Sequence, residues 1–225
     1  MRPRLIVLAL AIVILSVAGC ATAATPTVAL PTSTPSAELI AAISEAKAAL
    51  ATGDAAAAIV SLEAILANGG GSSEAYFVLG NAYAQQDNLT EAEARYRQAL
   101  AIDATNVDAQ ANLGVVLYRN QQLTEAEAAF RQALVLAPDD AEIHYNLGGV
   151  LAAQSNLEGA VEQFKRANEI DPTLAEPYLG LGSVYQLQGK DEEAIAALEK
   201  YLELTDDETW RAQAEQMLEE LGAKQ

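Results

Sequence analysis

Apolar residues recur along this chain with a period of 34 residues, and the spacing within each period is that of a helix. A leucine, a glycine and a bulky apolar residue return at the same positions in four successive segments. The columns are Leu79, Leu113, Leu147 and Leu181; Gly80, Gly114, Gly148 and Gly182; and Tyr83, Leu117, Leu151 and Tyr185. The first and third columns are four residues apart, so they share one helix face. The pattern predicts an amphipathic helix in the first half of each segment.

A second set of columns predicts a second helix in each segment. Alanine, an aromatic residue and alanine stand at i, i+4 and i+7, first as Ala92, Tyr96 and Ala99, then as Ala126, Phe130 and Ala133. The small residues allow two helices to approach closely, and the aromatic residue fills the space between neighbouring hairpins. Thr90 with Glu93 matches the capping-box pattern and predicts that Thr90 caps the second helix.

The two ends of this pattern are less regular than its centre. We predict a degenerate first repeat at 38–72, four regular repeats at 73–106, 107–140, 141–174 and 175–207, and a capping helix with a short tail at 208–225. The last helix is amphipathic and is expected to cover the final apolar face, with Trp210 as part of that cap. Tyr201 stands where the other regular repeats have alanine, and it is expected to pack beside Trp210.

So many matches at one fixed spacing resemble the tetratricopeptide repeat family. The resemblance implies an all-α fold: a right-handed superhelical solenoid of helical hairpins with a C-terminal capping helix. It also implies a non-catalytic protein that binds other proteins or peptides in a concave groove, which the first helix of each repeat lines.

The family's groove positions, transferred to this register, give eight candidate peptide-binding residues. They are Phe77, Asn81, Asn112, Val115, Tyr118, Arg119, Tyr145 and Asn146. An asparagine side chain can pair with both the C=O and the N–H of an extended peptide. Asparagine is also common at these positions in ordinary repeats of the family, so a structural role stays open. The neighbouring edge carries Glu74, Asp108, Glu142 and Glu176, which favours a peptide that contains Lys or Arg.

The N-terminus has the pattern of an export signal. A positive segment, Met1–Arg4, precedes an apolar stretch at 5–17 and then Val-Ala-Gly-Cys at 17–20. This order is typical of a secretory signal at 1–19. The last four residues resemble the bacterial lipobox, which implies lipidation of Cys20 and cleavage before it. Residues 20–37 are uncharged and rich in Thr, Pro, Ala and Ser, so we predict a disordered tether.

Two alternatives for this N-terminus stay open. Cys20 could be a chance residue in an ordinary signal peptide, or residues 5–24 could remain as an uncleaved membrane anchor. Either membrane-bound form, lipoprotein or uncleaved anchor, places the repeats outside the cytoplasm, and we expect an exported, membrane-associated lipoprotein.

The charge and the chemical side chains narrow the function further. The chain has 13 Lys and Arg against 31 Asp and Glu, a net charge of −18, so it repels phosphate backbones and we expect no nucleic-acid partner. His144 and Cys20 are its single histidine and cysteine. No catalytic couple, metal cluster or cofactor motif can be assembled from them, so we predict no enzyme, no metal and no cofactor.

These observations favour a lipid-anchored scaffold that recruits proteins outside the cytoplasmic membrane. Two other functions fit the same residues. One is an envelope lipoprotein that binds a solute or a glycan, and the other is an accessory subunit of an envelope enzyme.

Overall fold

The structure is a computed structural model that describes residues 36–67 and 71–222. Within these ranges it contains eleven α-helices and no strand. They are α1 (Ala37–Ala51), α2 (Ala55–Leu66), α3 (Ser73–Gln85), α4 (Leu89–Ile102), α5 (Val107–Arg119), α6 (Leu123–Leu136), α7 (Ala141–Ala153), α8 (Leu157–Ile170), α9 (Glu176–Leu187), α10 (Asp191–Leu204) and α11 (Glu208–Gly222). The predicted signal sequence at 1–19, Cys20 and the tether up to residue 35 lie outside the described residues. The end of the predicted tether at 37 is wrong, because Ser36 caps α1 and Ala37 is the first residue of that helix.

Helices α1 to α10 pair in chain order as five hairpins, and each hairpin turns through one residue in the left-handed region. These residues are 34 apart and have φ between 61° and 83°: Gly53, Asp87, Gln121, Ser155 and Gly189. After Asp87, the Asn88 N–H donates to the Tyr83 carbonyl, and the Asn88 side chain accepts from the Glu91 N–H. The first bond ends α3, and the second caps α4.

This turn corrects the predicted start of the second helices. The N-cap of α4 is Asn88 rather than Thr90, which lies inside the helix. In the next repeat α6 follows Gln122, whose side chain makes no capping hydrogen bond. Asn88 takes the capping role because the left-handed residue before it already ends the first helix.

The glycine column marks the closest approach of the two helices in each regular hairpin. A Cβ atom added to Gly148 would lie 2.6 Å from Cδ1 of Phe164, and one added to Gly114 would lie 2.8 Å from the Phe130 ring. Gly80 faces Tyr96 in the same way, and Gly182 faces Leu198. The sequence prediction that these small residues permit close helix contact is confirmed.

Successive hairpins stack because the second helix of one packs against the first helix of the next. The first helices α1, α3, α5, α7 and α9 also contact one another in order, whereas successive second helices show no comparable contact within the described residues. The first helices are therefore crowded on one side of the stack, which is the concave side. The result is the all-α solenoid that the periodicity predicts.

The two ends of the solenoid are built differently. Helices α1 to α3 share a small core of their own, whose members include Leu39, Ile43 and Leu62. At the other end α11 packs on α10 and buries Ala214 and Leu221. The prediction that Trp210 forms part of this cap is wrong, because Trp210 is 49% exposed.

None of the helices in the described part of the chain is both long and apolar enough to cross a membrane.

Two adjacent glycines of α7 test the packing directly. We expect Gly148→Ala to lower the free energy of unfolding by about 1–3 kcal/mol, because the new methyl group would overlap the buried Phe164 ring. Gly149→Ala is the matched control, since a Cβ there has no atom within 4 Å, and it should stabilise the helix by about 0.5–1 kcal/mol. Chemical denaturation measures both, and equal shifts in the two variants would contradict the packing described above.

Candidate peptide-binding surface

All eight predicted groove residues lie on first helices, but the structure divides them into two groups. Phe77 and Asn81 belong to α3; Asn112, Val115, Tyr118 and Arg119 belong to α5; Tyr145 and Asn146 belong to α7. The first group contacts other side chains of the protein and consists of Phe77, Asn81 and Asn112. The second group lines open space and consists of Val115, Tyr118, Tyr145 and Asn146. Arg119 belongs to neither group.

Asn81 is the centre of the first group. Its Oδ1 accepts hydrogen bonds from the Tyr96 hydroxyl at 2.7 Å and from Nδ2 of Asn112 at 2.9 Å. Tyr96 is buried, and burial raises the pKa of its hydroxyl far above the ordinary value, so the hydroxyl remains a donor at neutral pH. The Phe77 ring lies 6.1 Å from the Tyr96 ring, centroid to centroid. These side chains connect α3 to α4 and α5.

Arg119 is placed away from the other candidates. Its guanidinium pairs with the carboxylate of Asp87, in the turn of the preceding hairpin. It lines neither of the pockets described below, although the sequence register placed it in the groove. The long side chain therefore reaches across the repeat boundary.

The second group lines a cavity of about 110 Å³, here called the Tyr118 pocket. Its walls are Val115, Tyr118, Phe130, Tyr145, Asn146 and Gly149. Tyr118 is 39% exposed. The side-chain amide of Asn146 makes no hydrogen bond to any described residue, so its donors and its acceptor face solvent or a ligand. Four of the eight predicted residues therefore come together here.

A larger cavity of about 320 Å³, here called the Trp210 pocket, shares the Tyr145 wall. It is lined by Tyr145, Glu176, Leu179, Tyr201, Thr205, Asp207 and Trp210. Burial raises the pKa of the Tyr145 hydroxyl, and the carboxylate of Glu176 and the hydroxyls of Tyr118 and Tyr201 add to the rise. Tyr145 is therefore neutral at physiological pH and can donate a hydrogen bond.

The sequence analysis did not predict the Trp210 pocket as a site, although two features of the sequence point to it. Tyr201 departs from the alanine column of the other regular repeats, and Trp210 is the single tryptophan of the chain. Both residues were assigned to the cap. In the structure both residues line the pocket, Tyr201 as a buried side chain and Trp210 as one that is 49% exposed.

The charges around these pockets have one sign. Every arginine of the described part forms an ion pair with a carboxylate: Arg95, Arg97, Arg119, Arg131, Arg166 and Arg211. No basic residue lines either pocket. The first turns of α5, α7 and α9 carry Asp108, Glu142 and Glu176, none of which forms an ion pair with a described residue. These three carboxylates are therefore uncompensated, whereas Glu74 at the same edge of α3 pairs with Lys47 at 2.6 Å.

The side chain of His144 contacts other residues of the protein through both ring nitrogens. Its Nδ1 lies 2.8 Å from Oε1 of Gln163, and its Nε2 lies 3.1 Å from the carbonyl of Pro138. Both ring nitrogens therefore contact protein atoms, one in the same repeat and one at the end of the preceding repeat. The described residues contain no group of three or more His, Cys, Asp or Glu side chains that could hold a metal ion.

Family comparison agrees with the packing. Two models of the tetratricopeptide repeat match residues 111–175 and 151–217, and a TPR repeat model matches residues 80–121. The chain is a tetratricopeptide repeat protein. Matches from three models run through the regular repeats into α11, so the sequence-based family assignment is confirmed.

Solved structures support the same fold. The crystal structure of MamA is 23% identical and superposes with a TM-score of 0.67 over 75% of this chain and 96% of its own. MamA from Desulfovibrio magneticus RS-1 gives 20% identity and a TM-score of 0.71 over 77% and 100%. YrrB, described as a TPR protein with an unusual peptide-binding site, gives 25% identity and a TM-score of 0.66 over 79% and 92%. No curated protein matches the chain.

Asn112 and Asn146 occupy equivalent positions in successive repeats but differ in their bonding. We expect Asn112→Ala to lower the free energy of unfolding by about 0.5–1.5 kcal/mol, because it removes the hydrogen bond to Asn81. Asn146→Ala should change stability little. Thermal and chemical unfolding of both variants check this, and a similar loss in both would show that the bond to Asn81 contributes nothing specific.

Proposed function

We propose that this tetratricopeptide repeat protein is a non-catalytic scaffold that binds a peptide segment of another protein across the Tyr118 and Trp210 pockets. The observation that carries this proposal is the meeting of two open cavities at one side chain, Tyr145, on the concave side of the solenoid. Concave sites with aromatic walls and a few polar groups are the usual form of ligand sites in proteins.

The geometry suits an extended peptide. Two cavities on either side of Tyr145 can receive two side chains of one segment, and the unbonded amide of Asn146 can pair with the peptide backbone between them. The Asn81 region lacks this capacity, because Asn81 Oδ1 already accepts two hydrogen bonds. The solved relative YrrB, described as having a peptide-binding site, lends support from a chain of the same fold.

The charge favours a basic partner. Asp108, Glu142 and Glu176 lie on the concave helices without a described cation beside them. A segment with Lys or Arg would gain attraction from this field and associate faster at low salt, whereas an acidic segment would be repelled.

We place the scaffold outside the cytoplasm, held to a membrane by lipid on Cys20. The support is the sequence order of a positive segment, an apolar stretch and Val-Ala-Gly-Cys at 17–20. If residues 21–35 are extended, they reach roughly 45 Å at ~3.1 Å per residue. That reach would hold the repeats clear of the lipid surface and free to meet a partner.

Site-specific photo-cross-linking in intact cells tests the binding surface. A photoreactive amino acid at position 118, where the native tyrosine is 39% exposed, should give discrete adducts with one or a few proteins. The matched control is position 135 on α6, where Val135 is 74% exposed but lies on a second helix.

Adducts at 118 that are absent at 135 would support the scaffold and identify its partner by mass spectrometry. Equal adducts at both positions would contradict a groove-based interaction. The absence of a protein adduct at 118 would favour the alternative of a solute- or glycan-binding lipoprotein.

The anchor has its own test. Cys20→Ser should abolish incorporation of a labelled fatty acid and move the protein from the membrane fraction to the soluble exported fraction, because its thiol would no longer carry lipid. Cells that express the unchanged chain serve as the control. Membrane association that persists without label in both chains would indicate an uncleaved anchor at 5–24 instead.

A further inference from the structure

The Trp210 pocket has a composition that differs from the rest of the concave surface. Three aromatic side chains and two carboxylates surround it, and no basic residue lines it. From this we infer that the Trp210 pocket receives one basic side chain, a guanidinium or an ammonium group, from the bound peptide. The inference rests on the proposed function and names the chemistry of one of its two pockets.

The aromatic walls provide the first part of the argument. The half-exposed indole of Trp210 and the ring of Tyr145 offer π faces, and a cation within about 6 Å of such a face is attracted by the ring quadrupole. The chain already uses this contact elsewhere, because Lys165 and Lys190 lie 5.9 and 5.7 Å from the centroid of Tyr185. The Trp210 pocket has the same kind of wall without a cation of its own.

The carboxylates provide the second part. Asp207 accepts hydrogen bonds from the backbone N–H groups of Thr209 and Trp210, at 2.9 and 3.2 Å, so the start of α11 fixes its position. Glu176 approaches from α9 on another wall, and its charge reaches the Tyr145 hydroxyl. Neither carboxylate forms an ion pair within the described residues, so the pocket offers two negative charges to a ligand, and that of Asp207 is fixed in position.

Other occupants fit less well. A carboxylate or phosphate would meet two like charges with no basic group to offset them. An apolar side chain would strip water from the carboxylates and give no hydrogen bond in return. The cavity of about 320 Å³ lies near the lower end of the range for ligand sites, roughly 300–1,000 Å³. It suits one long side chain, whose stem can lie along Leu179 and Trp210.

Trp210 supplies a direct readout, because it is the single tryptophan of the full chain. The purified protein is titrated with a blocked tripeptide, acetyl-Gly-Arg-Gly-amide, while tryptophan fluorescence is recorded. The matched probe replaces arginine with citrulline, which keeps the shape and loses the charge. We expect a saturable change with arginine that weakens as salt rises, and a Kd at least about tenfold weaker with citrulline. Equal binding of the two probes would overturn the inference.

Paired variants assign the effect to the pocket. Glu176→Gln with Asp207→Asn removes both charges, and asparagine can still cap α11. This double variant should weaken the Kd for the arginine probe at least about tenfold. Glu199→Gln with Glu219→Gln is the control of equal charge change on exposed residues that do not line the pocket, and it should leave the Kd within about twofold. An equal loss in both double variants would show that only general charge matters and would overturn the inference.

The same variants separate this inference from the proposed function. If the adducts at position 118 persist unchanged when Glu176 and Asp207 are neutralised and the arginine probe does not bind, the scaffold stands and the basic side chain is wrong. If no protein adduct forms at position 118 although the arginine probe binds the pocket, the pocket chemistry stands and the peptide scaffold fails.

Discussion

A bulky side chain pressed against a glycine of the opposite helix closes each regular hairpin. Tyr96, Phe130, Phe164 and Leu198 occupy this position, and each lies where any side chain at the facing glycine would overlap it. The contact fixes the distance between the two helices, and the next hairpin then packs on a surface of defined shape. Because the same contact recurs every 34 residues, the solenoid follows from one local solution repeated.

The repeated contact does not restrict the side chains of the concave surface, and two differences in sequence make its two ends unlike each other. Tyr96 carries a hydroxyl where Phe130 and Phe164 carry none, and this hydroxyl draws Asn81 and Asn112 into a network. At the other end Tyr201 stands where the other regular repeats have alanine, and together with Trp210 of α11 it lines a pocket. The side chains at one end of the surface are hydrogen-bonded to one another, whereas those at the other end line a cavity, although the helices have the same arrangement at both ends.

The sequence predicted the parts of the fold that depend on single repeated columns. The leucine, glycine and aromatic columns place both helices of each hairpin, because their chemistry is the same in every repeat. The turn column could not be recognised, since Gly53, Asp87, Gln121, Ser155 and Gly189 share a backbone conformation but no side-chain type. The predicted caps were therefore displaced by two residues, from Asn88 to Thr90.

The site was only partly accessible to the same reasoning. Val115, Tyr118, Tyr145 and Asn146 were found because groove positions repeat with the helices. The walls of the Trp210 pocket come from α7, α9, α10 and α11. Tyr201 departs from the alanine column and Trp210 lies beyond the last regular repeat, so the 34-residue period does not relate these two residues to each other. The pairing of Asn81 with Asn112 likewise depends on one hydroxyl that distinguishes Tyr96 from its equivalents.

Phe164 links the pocket to the shape of the whole array. Its ring lies between Gly148 of α7 and Gly180 of α9, where a Cβ at either glycine would come within 2.6 and 2.7 Å, and Tyr145 rests on it at 6.0 Å between centroids. The same ring that spaces two repeats thus backs the wall shared by both pockets. The packing of one repeat on the next and the position of the Tyr145 wall therefore depend on a single side chain, Phe164.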